Sequence, residues 1–201
     1  MVCIRLAVIA LAAAFAGLPG WALAQTPPAA DAPPPVAAPA SPSPLEPGDA
    51  FGEAMELPER TIIFIKGQTN WDKAFETLVA AFKTLADHLD KQGIKPNGPA
   101  MTIYTETDDT GFQFHAALPI DQASKPLPKG DIAVGKSPSG KALKFVHRGS
   151  YDAMDTTYEA ITNYLDEKRL EAKELFVEEY TTDPLKTEPD KMVVNVYVPI
   201  K

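Results

Sequence analysis

The sequence holds a single cysteine, Cys3, so the chain can form no internal disulfide and offers no cysteine pair to a metal. Its three histidines, His88, His115 and His147, are far apart, which leaves a zinc site without its usual ligand spacing. No run of lysine and arginine occurs, and the formal net charge is -8. A nucleic-acid binder normally carries a basic patch or stripe, so no nucleic-acid partner is expected. Gly-rich phosphate loops, nucleophile-elbow motifs and His-Glu-x-x-His motifs are all missing. No metal and no cofactor are expected, and stability must come from packing.

What is present divides the chain into three. Arg5 precedes an apolar run, Leu6 to Leu18, that Pro19-Gly20 ends. Ala22-Leu23-Ala24 then sets small residues where a signal peptidase cuts. The run is short of the ~20 residues a spanning helix needs. Residues 1–24 therefore read as a cleaved secretory signal, which implies a periplasmic or secreted protein with no stable membrane span; the alternative reading keeps the segment uncleaved as a membrane anchor. Residues 25–58 are Pro/Ala-rich with few large apolar side chains, and read as a disordered linker that cannot offset its chain entropy. A second reading has Phe51, Met55 or Leu57 docking on the domain that follows.

From Arg60 onward the pattern is globular. Thr61 to Lys66 is a β-branched and aromatic strand ended by Gly67. Thr69 or Asn70 can cap a helix whose apolar face is Trp71, Ala74, Phe75, Leu78, Val79, Phe82, Leu85, Ala86 and Leu89, with Gly93 as its stop. Strands follow at Met101 to Glu106 and Phe112 to Leu118. The same order returns: a strand at Ala142 to Arg148, then Gly149, then a helix capped by Ser150 with Tyr151, Met154, Tyr158, Ile161 and Leu165 on one face. Strands at Glu174 to Thr181 and Met192 to Val198 complete it. Gly67 matches Gly149, Tyr104 matches Tyr180, and Pro119-Ile120 matches Pro199-Ile200, so the domain over 59–201 is two βαββ repeats, about 60–120 and 131–201. A further strand at Ile132 to Lys136 is expected to pair with the second repeat's first strand through Ser137-Pro138-Ser139-Gly140.

Three stretches carry a resemblance: Phe145-Val146-His147-Arg148-Gly149-Ser150-Tyr151, Glu178-Glu179-Tyr180-Thr181-Thr182-Asp183-Pro184 and Val196-Tyr197-Val198-Pro199-Ile200. They resemble the bacterial GyrI-like, or AraC-type, effector-binding family, a two-repeat fold akin to SOUL proteins. The resemblance implies an α+β fold of two pseudo-symmetric βαββ repeats, a curved antiparallel sheet with two main helices on one face. It also implies a cleft on the other face for small, often cationic or aromatic, molecules. Family members often follow a DNA-binding helix-turn-helix, which residues 25–58 cannot form.

Strand alternation then sorts the side chains. Val194, Val196 and Val198, with Phe112, Phe114 and Ala116, are expected under the helices, and Asn195 and Tyr197, with Gln113, His115 and Ala117, in the cleft. The resemblance adds Glu178 and Tyr180 to the cleft, matched in repeat one by Thr102 and Tyr104. His147, Trp71 and Tyr151 complete the expected ligand-binding set. Of Glu171, Glu174, Glu178 and Glu179, a single one is expected to matter, the rest forming a solvated charge run. An acid among aromatic rings suits a cationic ligand. The leading expectation is an exported small-molecule-binding protein. The alternative is a hydrolase of small electrophilic compounds, with Glu178 and Tyr180 as acid and base. Two further readings are haem ligation by His115 or His147, and a purely structural partner of an envelope complex.

Overall fold

In the computed structural model, residues 46–121 and 130–201 are described; the expected signal segment, and the expected linker up to residue 45, lie outside them. Eight strands form one sheet: β1 (Phe51–Leu57), β2 (Thr61–Asn70), β3 (Met101–Thr107), β4 (Gly111–Pro119), β5 (Ile132–Lys136), β6 (Gly140–Arg148), β7 (Phe176–Tyr180) and β8 (Val193–Pro199). Two helices, α1 (Ala74–Lys91) and α2 (Met154–Lys168), follow β2 and β6. The order across the sheet is β1-β6-β8-β7-β3-β4-β2-β5, and every pair is antiparallel. The expected α+β fold of two βαββ repeats is thus present, and β3 and β7 join the repeats at the centre.

Each helix starts in a short 3-10 turn. Asn70 caps the first by accepting from Lys73 N, and Ser150 caps the second by accepting from Asp152 N. α1 ends in a Schellman motif: Ile94 N donates to Leu89 O and Gly93 N to Asp90 O, with Gly93 at φ 67. α2 ends the same way through Leu170 N and Leu165 O, but there Arg169 takes the left-handed position at φ 54, a costlier choice for a residue with a Cβ. Leu78, Phe82, Leu85 and Leu89 of α1 and Met154, Ile161 and Leu165 of α2 bury against Phe112, Phe114, Ala116, Val194, Val196 and Val198. Those six strand residues lie under the helices as expected.

Two expectations are corrected. The strand at Ile132–Lys136 pairs with β2, not with β6: Thr61 faces Lys136 and Ile65 faces Ile132. Both edges of β6 are already taken, one by β8 and the other by β1. Ser137 instead pins the chain beside Arg60, its N donating to Arg60 O and its Oγ accepting from Arg60 N.

The expected linker also does not extend to residue 58. Phe51–Leu57 is a strand on β6, with Leu57 facing Gly140 and Phe51 facing Phe145. Its apolar residues meet partners: Phe51 packs edge-on to Phe145 and Tyr164 at 5.1 and 5.7 Å, and Leu57 is buried. Asp49 accepts from Arg148 Nε and Nη2 at 2.7 and 2.8 Å. A bulge at Gly52, φ 77, lets the Tyr164 ring lie against the backbone, its hydroxyl donating to Gly52 O. A Cβ at Gly52 would lie 2.2 Å from Tyr164 Cζ. Gly52→Ala should therefore cost about 1–3 kcal/mol in urea unfolding and speed hydrogen exchange across residues 51–57. Wild-type exchange in that strand would refute the packing account.

Candidate functional site

The centre of the site is where the repeats meet. Thr102 on β3 faces Glu178 on β7, and Tyr104 faces Phe176. Cross-strand partners share a face. Glu178 also faces Val196, and Tyr180 faces Val194, so both point toward the helices. Asn195 instead faces Glu179, and Tyr197 faces Val177, on the opposite face. His115 faces Ile103 there too. The nine expected binding residues therefore do not form one cleft. Glu178, Tyr180, Tyr104, Tyr151, His147 and Trp71 belong to the helix side, and Asn195, Tyr197 and His115 to the other. The polar cleft residues expected opposite the helices are corrected accordingly: Glu178 joins the valines of β8, because the register of β7 on β8 sets its face.

Glu178 is wholly buried. Its Oε1 accepts from the Tyr158 hydroxyl of α2 at 2.8 Å, and its Oε2 from the Tyr180 hydroxyl at 2.8 Å. Tyr180 in turn hydrogen-bonds Thr102 Oγ1 at 3.2 Å. Since the Tyr180 proton goes to the carboxylate, the Thr102 hydroxyl is the donor of that pair. Tyr104 and Tyr151 join their hydroxyls at 2.7 Å, and Phe75 of α1 stacks on Tyr151. Burial pushes the Glu178 carboxyl up, against the pull of the Tyr158 and Tyr180 hydrogen bonds. Burial first, and then the Glu178 charge, hold Tyr104, Tyr151, Tyr158 and Tyr180 far above the usual phenol range. All four stay neutral phenols. Among the described residues no Lys, Arg or His forms an ion pair with Glu178.

A cavity of about 310 Å3 opens beside this cluster, lined by Trp71, Tyr104, Thr107, Asp108, Asp109, Tyr158 and Phe176. Trp71 is 45% exposed, lies on Phe112 and donates Nε1–H to Asp108 O at 2.9 Å. It walls the mouth and is not core. Tyr158, read as one more apolar helix residue, is the Glu178 partner and cavity residue that the sequence reading does not single out. Its signal is the Tyr151–Tyr158 spacing of seven, which sets the Tyr158 ring of α2 on the same side as Tyr151 in the 3-10 turn that leads into the helix.

His147 serves a different end. Nε2 lies 3.0 Å from Ser150 O, which can only accept, so Nε2 carries the proton and Nδ1 accepts from the Thr157 hydroxyl at 2.7 Å. Both nitrogens are occupied in fixing the start of α2. On the far face, Arg60 Nη1 donates to Glu179 Oε2 at 2.9 Å and the Tyr197 hydroxyl to Oε1 at 3.2 Å, with Asn195 Nδ2 reaching Tyr197 at 3.4 Å. Burial and the Glu179 charge push the Tyr197 phenol up to about 12. Glu179, expected to be solvated, is buried, so two acids of the charge run carry structure. His115 stacks on Phe64 at 4.7 Å, and burial, then the Lys66 charge, lower its pKa. No three His, Cys, Asp or Glu side chains converge as a metal site requires among the described residues.

The model of the GyrI-like small molecule binding domain matches residues 53–201. The chain belongs to this family. A solved structure of EcmrR in complex with DNA is similar at a TM-score of 0.65 and 14% identity, over 75% of this chain and 57% of that one. This chain thus spans little more than half of EcmrR. SAV2435 bound to tetraphenylphosphonium is similar at 0.55 and 18% identity, over 75% and 94%. A hydrolase encoded by lin2189 from Listeria innocua is similar at 0.52 and 13% identity, over 76% and 93%. No curated protein matches by sequence. Among the described residues no helix is long and apolar enough to cross a membrane.

The raised Glu178 pKa has a consequence for stability. Above the unfolded value of about 4.3 the unfolded chain releases this proton, while the folded chain keeps it until a higher pH. Stability therefore falls as pH rises through that window. Glu178→Gln removes this dependence and should be more stable than wild type at neutral pH, with the advantage shrinking toward pH 4. An advantage that does not vary with pH in denaturant titrations would contradict the assignment.

Proposed function

We propose that this GyrI-like protein is an exported binder of small apolar cations, held in the aromatic cavity and drawn by Glu178. One observation carries the reading: Glu178 is buried among neutral phenols without a cation, whereas Glu179 on the opposite face has Arg60. A buried carboxylate without a counter-charge is unfavourable, and a ligand cation would complete it. Trp71, Tyr104, Tyr158 and Phe176 supply ring faces for a cation and its apolar body. The carboxylate itself is sealed, so direct contact requires the Tyr158 ring to give way. The tetraphenylphosphonium complex of SAV2435 supports this ligand class. The net charge of -8 and the lack of a basic run favour a role without nucleic acid.

Calorimetric titration with tetraphenylphosphonium tests it. Binding should release protons, and affinity should rise with pH through the range where Glu178 titrates. Glu178→Gln should weaken binding by about 1–3 kcal/mol. Unchanged affinity in that variant removes Glu178 from the site.

A second reading is hydrolysis of small electrophiles, with Glu178 as the acid and a tyrosine as its partner. The raised carboxyl pKa and the fold shared with the Listeria innocua hydrolase favour it. Repeated turnover of an electrophilic ester or epoxide, abolished in Glu178→Gln, would establish it. Export rests on the apolar run Leu6 to Leu18 and on Ala22-Leu23-Ala24. N-terminal sequencing of the native protein should begin at Gln25, and an intact Met1 would refute cleavage.

A further inference from the structure

The two oxygens of Glu178 lead in different directions. Oε1 is held by Tyr158, which walls the aromatic cavity. Oε2 is held by Tyr180, which walls a second cavity of about 520 Å3. Phe82, Leu118 and Leu185 give the second cavity an apolar lining, and Asp90, Asp183 and the cationic Lys186 lie at its edge. The two cavities follow the repeat symmetry. Tyr104 and Phe176 pair at one end of the central strands, and Tyr180 N donates to Ala100 O at the other. Ala100, immediately before β3, and Tyr104 on β3 are four residues apart, about 13 Å in extended chain, and Thr102 with Glu178 lies midway. The β3–β4 hairpin closes the first cavity and the β7–β8 connection closes the second.

We propose that the protein has two pockets for apolar cations, one on each side of Glu178, which share its single carboxylate and so oppose each other's occupancy. This rests on the reading that Glu178 attracts a cation. A cation in either cavity faces the same negative charge across one tyrosine ring. Once the first has compensated it, a second gains only the exposed mouth carboxylates, Asp108 and Asp109 or Asp90 and Asp183, whose fields water and salt screen. Displacing one tyrosine also leaves Glu178 leaning on the other, which makes the remaining ring harder to move. Asp183 is already engaged by Lys186 Nζ at 2.7 Å, which further weakens the second mouth as a charge site.

The full chain carrying Trp21→Phe leaves Trp71, in the wall of the first cavity, as the sole tryptophan. Titration with tetraphenylphosphonium by calorimetry, with Trp71 emission followed in parallel, should show two events per chain. Only one should change Trp71 emission, and the second should be weakened about 5- to 150-fold by the first. Ala86→Phe, which fills the second cavity, should remove the silent event and leave a simple one-site emission curve. Leu185→Phe does the same from an exposed rim position, so a folding defect in one variant does not decide the result. Glu178→Gln should weaken both events and abolish their opposition. A single event per chain, weakened by Glu178→Gln but unaltered by either filling variant, overturns the second pocket while sparing the first. Two events that ignore each other overturn the shared carboxylate. Binding indifferent to Glu178→Gln overturns the reading on which both rest.

Discussion

A carboxylate sealed from water needs a proton, a cation or hydrogen-bond donors, and Glu178 has two phenolic donors. That requirement organises the middle of the domain. Tyr180 comes from the same strand, two residues on, and Tyr158 from the helix above. Tyr158 reaches the carboxylate only because α2 lies over β7, and α2 is held there by His147, whose ring nitrogens bond Ser150 and Thr157. Each phenol must also stay protonated to donate. Burial and the Glu178 charge ensure this, since both oppose a second negative charge. The cluster is thus self-consistent as hydrogen bonding and unbalanced as charge.

The near-symmetry of the fold makes this imbalance legible. Thr102 and Glu178 occupy equivalent places in the two repeats and face each other across the central pair. A second carboxylate at 102 would set two buried negative charges side by side, and a second threonine at 178 would leave none. One acid and one hydroxyl give a single charge on the pseudo-axis, reached from both sides. The edges of the sheet follow a matching exchange. β1 precedes repeat one but borders β6 of repeat two, while β5 opens repeat two but borders β2 of repeat one. Each repeat is therefore flanked by chain from outside its own unit. That raises the cost of separating the repeats at β3 and β7, where the buried charge lies.

Period and punctuation in the sequence were enough to read the helices, most strands and the repeat. The alternating three and four steps from Trp71 to Leu89 leave no room for a strand, and the matched glycines and prolines mark the same turns twice. Pairing between strands was not readable in this way. Alternation says that Glu178 and Glu179 point to opposite faces, but only the register of β7 on β8 says which faces. With that register unknown, the resemblance groups Glu178 with Asn195 and Tyr197, whereas its neighbour Glu179 is the one beside them. The same gap hid the partner of β5. The strand at Phe51–Leu57 is hidden for another reason: Pro/Ala-rich chain precedes it, and its three large apolar residues acquire meaning only beside distant partners, Phe51 on Phe145 and Tyr164, and Met55 and Leu57 in the cluster of Ile62, Met101 and Val177.

Glu178 and Glu179 show how adjacent residues of one type can have opposite roles. Glu179 accepts from Arg60 and Tyr197, so its charge is balanced and its contacts tie β7 to the start of β2 and to β8. Removing either partner would leave a buried acid unsatisfied, which is the behaviour of a structural ion pair. Glu178, on the same strand, has donors but no balancing charge among the described residues. Because the outer acid fixes the strand, the inner acid cannot relieve its own situation by moving toward solvent. A rigid strand with a compensated outer face is what keeps an uncompensated inner charge in place. An outside cation is then the remaining source of relief, along with a proton, and the two must compete for the same oxygens.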